Sequence, residues 1–165
     1  MTPAPPGSTP VLLYDGSCGV CARSVQFVLR RDHRRQSLRF ASLESDFGRR
    51  ITGSDPRLAG VDSLIWAEPA PGPSTPSGVR PSLAPGDPLP PLRMLVRSDA
   101  VIAVAAYLGG VWRGLALVGS LVPRPLRDGA YDVVARNRHR VPGRSDRCLL
   151  PTPAERERFL DGPDA

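Results

Sequence analysis

Lysine is absent from this sequence: all 22 basic residues among its 165 are arginine. Against 16 acidic residues they give a formal net charge of +6 and a pI near 10.2. Such a charge alone would point to nucleic acid or an anionic surface. Alanine, proline and glycine are abundant too, the bias of GC-rich coding, so compositional drift explains the arginines without a binding partner. Cysteine is scarce, at three residues, which excludes a disulfide-stapled scaffold. A chain of this length buries a core without staples. No basic segment with an apolar core and cleavage site opens the sequence, so a secretory signal is not expected and cytoplasmic residence is the default. An uninterrupted hydrophobic run of spanning length is also missing. The nearest approach, Ala100 to Val122, is broken by Gly109, Gly110 and Arg113, and two buried helices joined at the glycines are expected there.

What the chain does have is proline, 20 residues of it, concentrated in TPAPPGSTP at the start and between Glu68 and Pro91. Neither stretch carries apolar periodicity. The expected organisation is a disordered tail over residues 1–10 and a single domain over 11–165, with a Pro-rich disordered insert at about 68–91. A hydrophobic fraction of 41% and a charged fraction of 23% suit a globular domain.

Val11 to Tyr14, between a proline and Asp-Gly, reads as a buried strand. Cys21, Val25, Val28 and Leu29 then recur at helical spacing, and Ser37 to Leu43 alternates like a second strand. Between Glu44 and Gly60 a short helix and a turn near Asp55-Pro56 are expected. DSLIWAE and RMLVRS read as neighbouring antiparallel strands on either side of the insert. Ser98 is the expected N-cap of a helix ending at Gly109-Gly110. Helices over Trp112 to Leu121 and about Pro125 to His139 follow, and TPAERERFLD is expected to form a last short one capped by Thr152. The order βαβαββα with additional C-terminal helices is α/β and thioredoxin-like.

The chemistry concentrates in DGSCGVC, Asp15 to Cys21, where the first strand becomes the first helix. A sulfur at Cys18, at the helix start, sits beside unpaired N–H groups and the positive end of the dipole, both of which favour thiolate. Cys21 lies one turn deeper on the inward face. The pattern therefore predicts an exposed attacking sulfur and a sheltered resolving one. Gly16 and Gly19 make the turn small. Asp15 could cap the helix or move the proton of Cys21; a fixed negative charge near Cys18 sets these roles against each other.

The same cysteines could instead belong to a zinc or soft-metal module. Only Cys148, His139 and His33 remain as further ligands, with no second Cys-x-x-Cys and no His-x-x-x-His pair. A third reading is an anion- or nucleic-acid-binding surface made by Arg136, Arg138, Arg140, Arg144 and Arg147. Cys148 reads as a lone thiol, His33 and His139 as solvated, and Asp32, at the end of the first helix, as paired with a nearby arginine.

The stretch LLYDGSCGVCARSVQFVLRRD resembles the signature of the DCC family of thiol-disulfide oxidoreductases, named for Asp-x-x-Cys-x-x-Cys, here Asp15, Cys18 and Cys21. VRSDAVIAVAAYLGG, LVPRPLRDGAYDVVARNRHR and CLLPTPAERERFL are similar to the family's later segments, so the resemblance runs from Val11 to Leu160. It implies a thioredoxin-like fold and protein-disulfide reductase activity, with Cys18 as nucleophile, Cys21 as resolving thiol and a part for Cys148. The expected partners are a protein or low-molecular-weight disulfide and an external thiol reductant. No cofactor, nucleic acid or membrane is expected. Val141-Pro142 departs from the family's aromatic pair, and the Glu68 to Pro91 insert is longer than its hairpin. The cis-proline common before the third strand of thioredoxin folds is not at hand: Val61-Asp62 stands there, and Pro56 comes too early.

Overall fold

The computed structural model describes residues 9–32, 37–58, 60–61, 63–70, 91–137 and 153–161. Four strands form one sheet in the order β2-β1-β3-β4. Strand β1 (Val11–Tyr14) is central and buried throughout, as an apolar run with no polar alternation requires. It pairs in parallel with β2 (Arg39–Ser42), Leu12 opposite Phe40. On its other side β3 (Ile65–Pro69) runs antiparallel, Leu13 opposite Ile65. Strand β4 (Leu92–Val96) continues antiparallel to β3. Pairing carries through Glu68 and Pro69, whose partners are Arg93 and Leu92, so the two strands are longer than the proline content suggested. Residues 71–90, like residues 1–8, lie outside the described part.

Alternation along the strands divides the core in two. Leu12, Tyr14, Phe40 and Trp66 face α1 (Gly19–Arg31) and α3 (Arg97–Leu108). Val11, Leu13, Ala41, Ile65 and Ala67 face α2 (Asp46–Gly53) and the 3-10 turn Pro56–Leu58. Burying about 25 cal/mol for each Å² of apolar surface is what binds both layers to the sheet. The fold is thioredoxin-like, a mixed sheet covered by helices on both faces.

Helix α2 starts at Ser45, whose Oγ accepts from Gly48 N at 3.0 Å. Gly48 is dictated by crowding: a Cβ there would sit 2.0 Å from the Ser42 carbonyl oxygen. The expected glycine break is present, with φ of +71° at Gly109 and +55° at Gly110, and α4 (Gly110–Leu121) folds back on α3. No helix among the described residues is long and apolar enough to cross a membrane. Helix α5 occupies Arg124–Asn137 and α6 Pro153–Arg156; Thr152, the expected cap of α6, lies outside the described residues.

Two expectations need correction. Ser98 does not cap α3, which begins two residues earlier than that cap implies, at Arg97 with Val96 at the N-cap position; its hydroxyl instead donates to Asp128 of α5. After α6 the chain does not continue as helix. Phe159 bridges Phe40 in parallel, with Phe40 N donating to Arg158 O at 2.8 Å and Leu160 N to Phe40 O at 2.9 Å. This covers the outer edge of β2, which would otherwise stay open to pairing.

Candidate dithiol active site

The site is built where β1 ends. Asp15, Gly16 and Ser17 form the turn, and Cys18 is the N-cap residue of α1, with φ −95° and ψ 113°. Asp15 Oδ1 accepts from Ser17 N at 2.9 Å and from Ser17 Oγ at 2.7 Å, while Cys18 N donates to the Asp15 carbonyl at 3.2 Å. The Asp15 side chain thus fixes the turn before the helix. Alpha1 opens with Ala22 N donating to Cys18 O at 3.0 Å. Cys18 contributes no side-chain cap to the helix.

Cys21, one turn on, donates its thiol hydrogen to the Cys18 sulfur and receives a main-chain hydrogen bond from Asp15. Burial pushes the Cys21 thiol up to about 12; the hydrogen bond to Cys18 and the charges of Cys18 and Asp15 act in the same direction, and the Asp15 main-chain bond opposes them. Both cysteines are free thiols. The three residues singled out in the sequence, Asp15, Cys18 and Cys21, therefore meet within one turn of chain.

The expected division into exposed and sheltered sulfurs is not found: Cys18 is 5% exposed and Cys21 7%. Both side chains belong to the apolar cluster that contains Tyr14 and Val25. Gly16 and Ser17, immediately before Cys18, are exposed. These two residues form an exposed lip next to Cys18 in the chain. A Cβ on Gly16 would sit 3.1 Å from Ser42 Oγ, which ties that lip to the end of β2.

Other sequence candidates fall elsewhere. Asp32, 4% exposed, is paired with an arginine as expected, though a distant one: Arg158 Nη2 lies 2.5 Å from its carboxylate. Tyr107 donates to the same carboxylate at 2.9 Å. Arg136 is exposed and donates to the Asp132 carbonyl. His33, His139, Cys148, Arg138, Arg140, Arg144 and Arg147 lie outside the described residues. Within those residues no group of three or more His, Cys, Asp or Glu is placed to hold a metal.

The structure also gives tertiary roles to residues at the start of α3 and along α5. Ser98 and Asp99 at the start of α3 meet Asp128 and Arg127 of α5, the latter at 3.1 Å. Tyr131, one turn later, accepts from Leu64 N at 3.1 Å. Leu64 directly precedes β3, whose first residue pairs with Leu13 beside the dithiol turn. These polar residues clamp α5 to the layer carrying the site.

The chain matches a family described as DCC1-like thiol-disulfide oxidoreductase over residues 12–80 and 81–144. It belongs to that family. The DCC-family match contains the whole dithiol turn and both partners of the α3–α5 clamp. The chain is similar to the uncharacterized protein YuxK of Bacillus subtilis (strain 168), 31% identical over 155 residues, covering 91% of this chain and 93% of that protein. It is similar also to the DCC family protein At1g52590, chloroplastic, of Arabidopsis thaliana, 32% identical over 143 residues, covering 86% of this chain and 69% of that protein. No solved structure matches. The family's description names thiol-disulfide chemistry as a class, and the matched residues include Asp15, Cys18 and Cys21.

Proposed function

We propose that this protein reduces disulfides through Cys18 and Cys21. The observation carrying this reading is the hydrogen-bonded pair of free thiols at the N-terminus of α1, one sulfur at the cap position and the other held protonated behind it. Cys18 attacks as thiolate. Its sulfur forms a bond to one sulfur of the substrate disulfide, that S–S bond breaks, and the departing thiolate takes up a proton. Cys21 then gives its proton to Asp15 and attacks the Cys18 sulfur. The mixed disulfide breaks, the second substrate sulfur leaves as thiolate and takes the proton held by Asp15, and a Cys18–Cys21 disulfide remains. Two electrons have passed to the substrate, and an external thiol reductant restores the dithiol.

The high proton affinity of Cys21 supports this order, because a thiol that keeps its proton at neutral pH does not compete as first nucleophile. Burial of Cys18 favours disulfides that reach past Gly16 and Ser17 on a narrow stem, whether in a peptide or a small molecule. Cytoplasmic residence fits the required supply of thiol reductant. The test is turnover of a small aromatic disulfide with a regenerating thiol. Wild type is expected to turn over, and Cys18→Ser to fall to the uncatalysed rate; equal rates for the two proteins would refute the assignment.

A further inference from the structure

Helix α4, expected from its apolar sequence to be buried, is not: Ala116 is its one buried residue. Trp112, Ala116 and Gly119 recur at spacings of four and three and turn inward, Trp112 against Phe27 of α1 and Gly119 beside Ile102 of α3. Val111, Leu117, Val118 and Leu121 recur at spacings of seven, four and three on the opposite side. Together with Leu126 in the first turn of α5 they are 61–82% exposed. Apolar side chains gathered in this way mark a protein or membrane contact rather than a solvated face.

Charge is sorted onto the same layer. Helices α1, α3, α4 and α5 hold eight arginines against three aspartates, whereas the other described residues hold seven arginines against nine carboxylates. Coding bias sets how many arginines there are, not which layer carries the excess. The three aspartates are already engaged, Asp99 by Arg124 and Arg127, Asp132 by Arg97 and Asp128 by Ser98. Residues 100–127 contain no carboxylate at all. Arg113, one turn before Leu117, is exposed, as are Arg30 and Arg31 at the end of α1. The Arg31 guanidinium is held over the Phe27 ring at 3.7 Å and the Trp112 ring at 5.3 Å. None of these three arginines forms an ion pair with a described carboxylate.

From these features we infer that α4 lies on an anionic lipid bilayer, with Val111, Leu117, Val118 and Leu121 among the acyl chains and Arg31 and Arg113 at the headgroup phosphates. A helix lying in the interface needs no spanning length, so 12 residues suffice. Charge decides the occupant. A second copy meeting through the same face would set one positive layer against another, with no carboxylate in residues 100–127 to pair either. A bilayer supplies the missing anions, and its fluid acyl region accepts a convex apolar ridge without a matching groove. Arg31 lies roughly 20 Å along α1 from Cys18, at 1.5 Å per residue. The inference therefore does not rest on the proposed redox function.

The test is co-sedimentation of the full-length protein with vesicles of equal parts phosphatidylglycerol and phosphatidylcholine, with phosphatidylcholine alone as the neutral counterpart. Binding to the anionic vesicles is expected, weakened by added salt, with little to the neutral ones. Leu117→Gln/Leu121→Gln should weaken it by about tenfold or more without lowering the thermal midpoint, since both side chains are exposed. Arg31→Gln and Arg113→Gln should each weaken it about fivefold, the scale of one arginine at an anionic surface. A Cys18→Ser/Cys21→Ser double variant should bind like wild type, which keeps this result independent of exchange activity. Sedimentation with neither vesicle, equal binding to both, or undiminished binding by the leucine double variant would each overturn the inference. So would a lipid-free dimer that the same leucine variant dissociates, because a second copy would then cover the face.

Discussion

Cys21 and Tyr14 both hold their protons more tightly when folded, each pushed up to about 12 chiefly by burial. Unfolded, they would release them near about 8.5 and 10. The folded values are the higher ones, so this contribution to stability is fully present below the unfolded values and is lost as pH rises toward 12. Urea midpoints are expected to fall from pH 8 to pH 10.5, and Cys21→Ala to flatten that fall; an unchanged slope would show that Cys21 is not shielded. Asp15 allows a sharper division. Asparagine in its place keeps an oxygen for Ser17 but cannot accept a proton. Asp15→Asn should therefore leave formation of the mixed disulfide intact and slow its resolution by about 100-fold, the lower scale of general base catalysis. Rapid-quench kinetics separates the two steps, and normal resolution would leave Asp15 a turn anchor only. Gly48→Ala places a methyl against the Ser42 carbonyl, 2.0 Å away, and should cost about 1–3 kcal/mol in chemical denaturation.

At the scale of elements, one buried polar cluster ties the ends of three of them. Asp32, at the C-terminus of α1, accepts from Tyr107 near the end of α3 and from Arg158 after α6. Leu38 N, just before β2, donates to the Tyr107 hydroxyl at 3.0 Å, and Arg158 Nε donates to the Leu38 carbonyl at 3.1 Å. Burial raises the Tyr107 hydroxyl above the ordinary tyrosine range; Asp32 adds to this, and the Ser37 contact opposes it. Removing one partner of a buried ion pair costs more than the pair contributes, because the other charge stays buried. Arg158→Met should destabilise by about 3–5 kcal/mol, and Tyr107→Phe by about 1–3 kcal/mol. The double variant should cost less than the sum, since both changes act on Asp32; strict additivity in a urea-denaturation cycle would contradict a shared cluster. Sequence reading expected a nearby arginine to pair with Asp32; the partner is an arginine, but one 126 positions away.

For the whole molecule, what was legible follows how local each determinant is. The strand Val11 to Tyr14, the helix opening at Cys18 and the break at Gly109-Gly110 are written in short apolar runs and glycines, and each is present. The neighbourhood of Asp15, Cys18 and Cys21 was legible too, because one turn of chain contains it. Long-range contacts were not: the Phe159 bridge to β2, the α3–α5 clamp and the burial of Cys18 all depend on packing partners distant in sequence. The Ser98 cap was misread for a related reason, since a tertiary bond to Asp128 took the hydroxyl that local preference assigned to the helix end.

The central claim is that Cys18 attacks and Cys21 releases. Cys21→Ser, incubated with a disulfide-bonded peptide and analysed intact and after digestion by mass spectrometry without reductant, tests it most directly. The account predicts a stable adduct of one peptide strand on Cys18, absent from wild type, which instead accumulates the Cys18–Cys21 disulfide. An adduct on Cys148, or no lasting adduct at all, would contradict it.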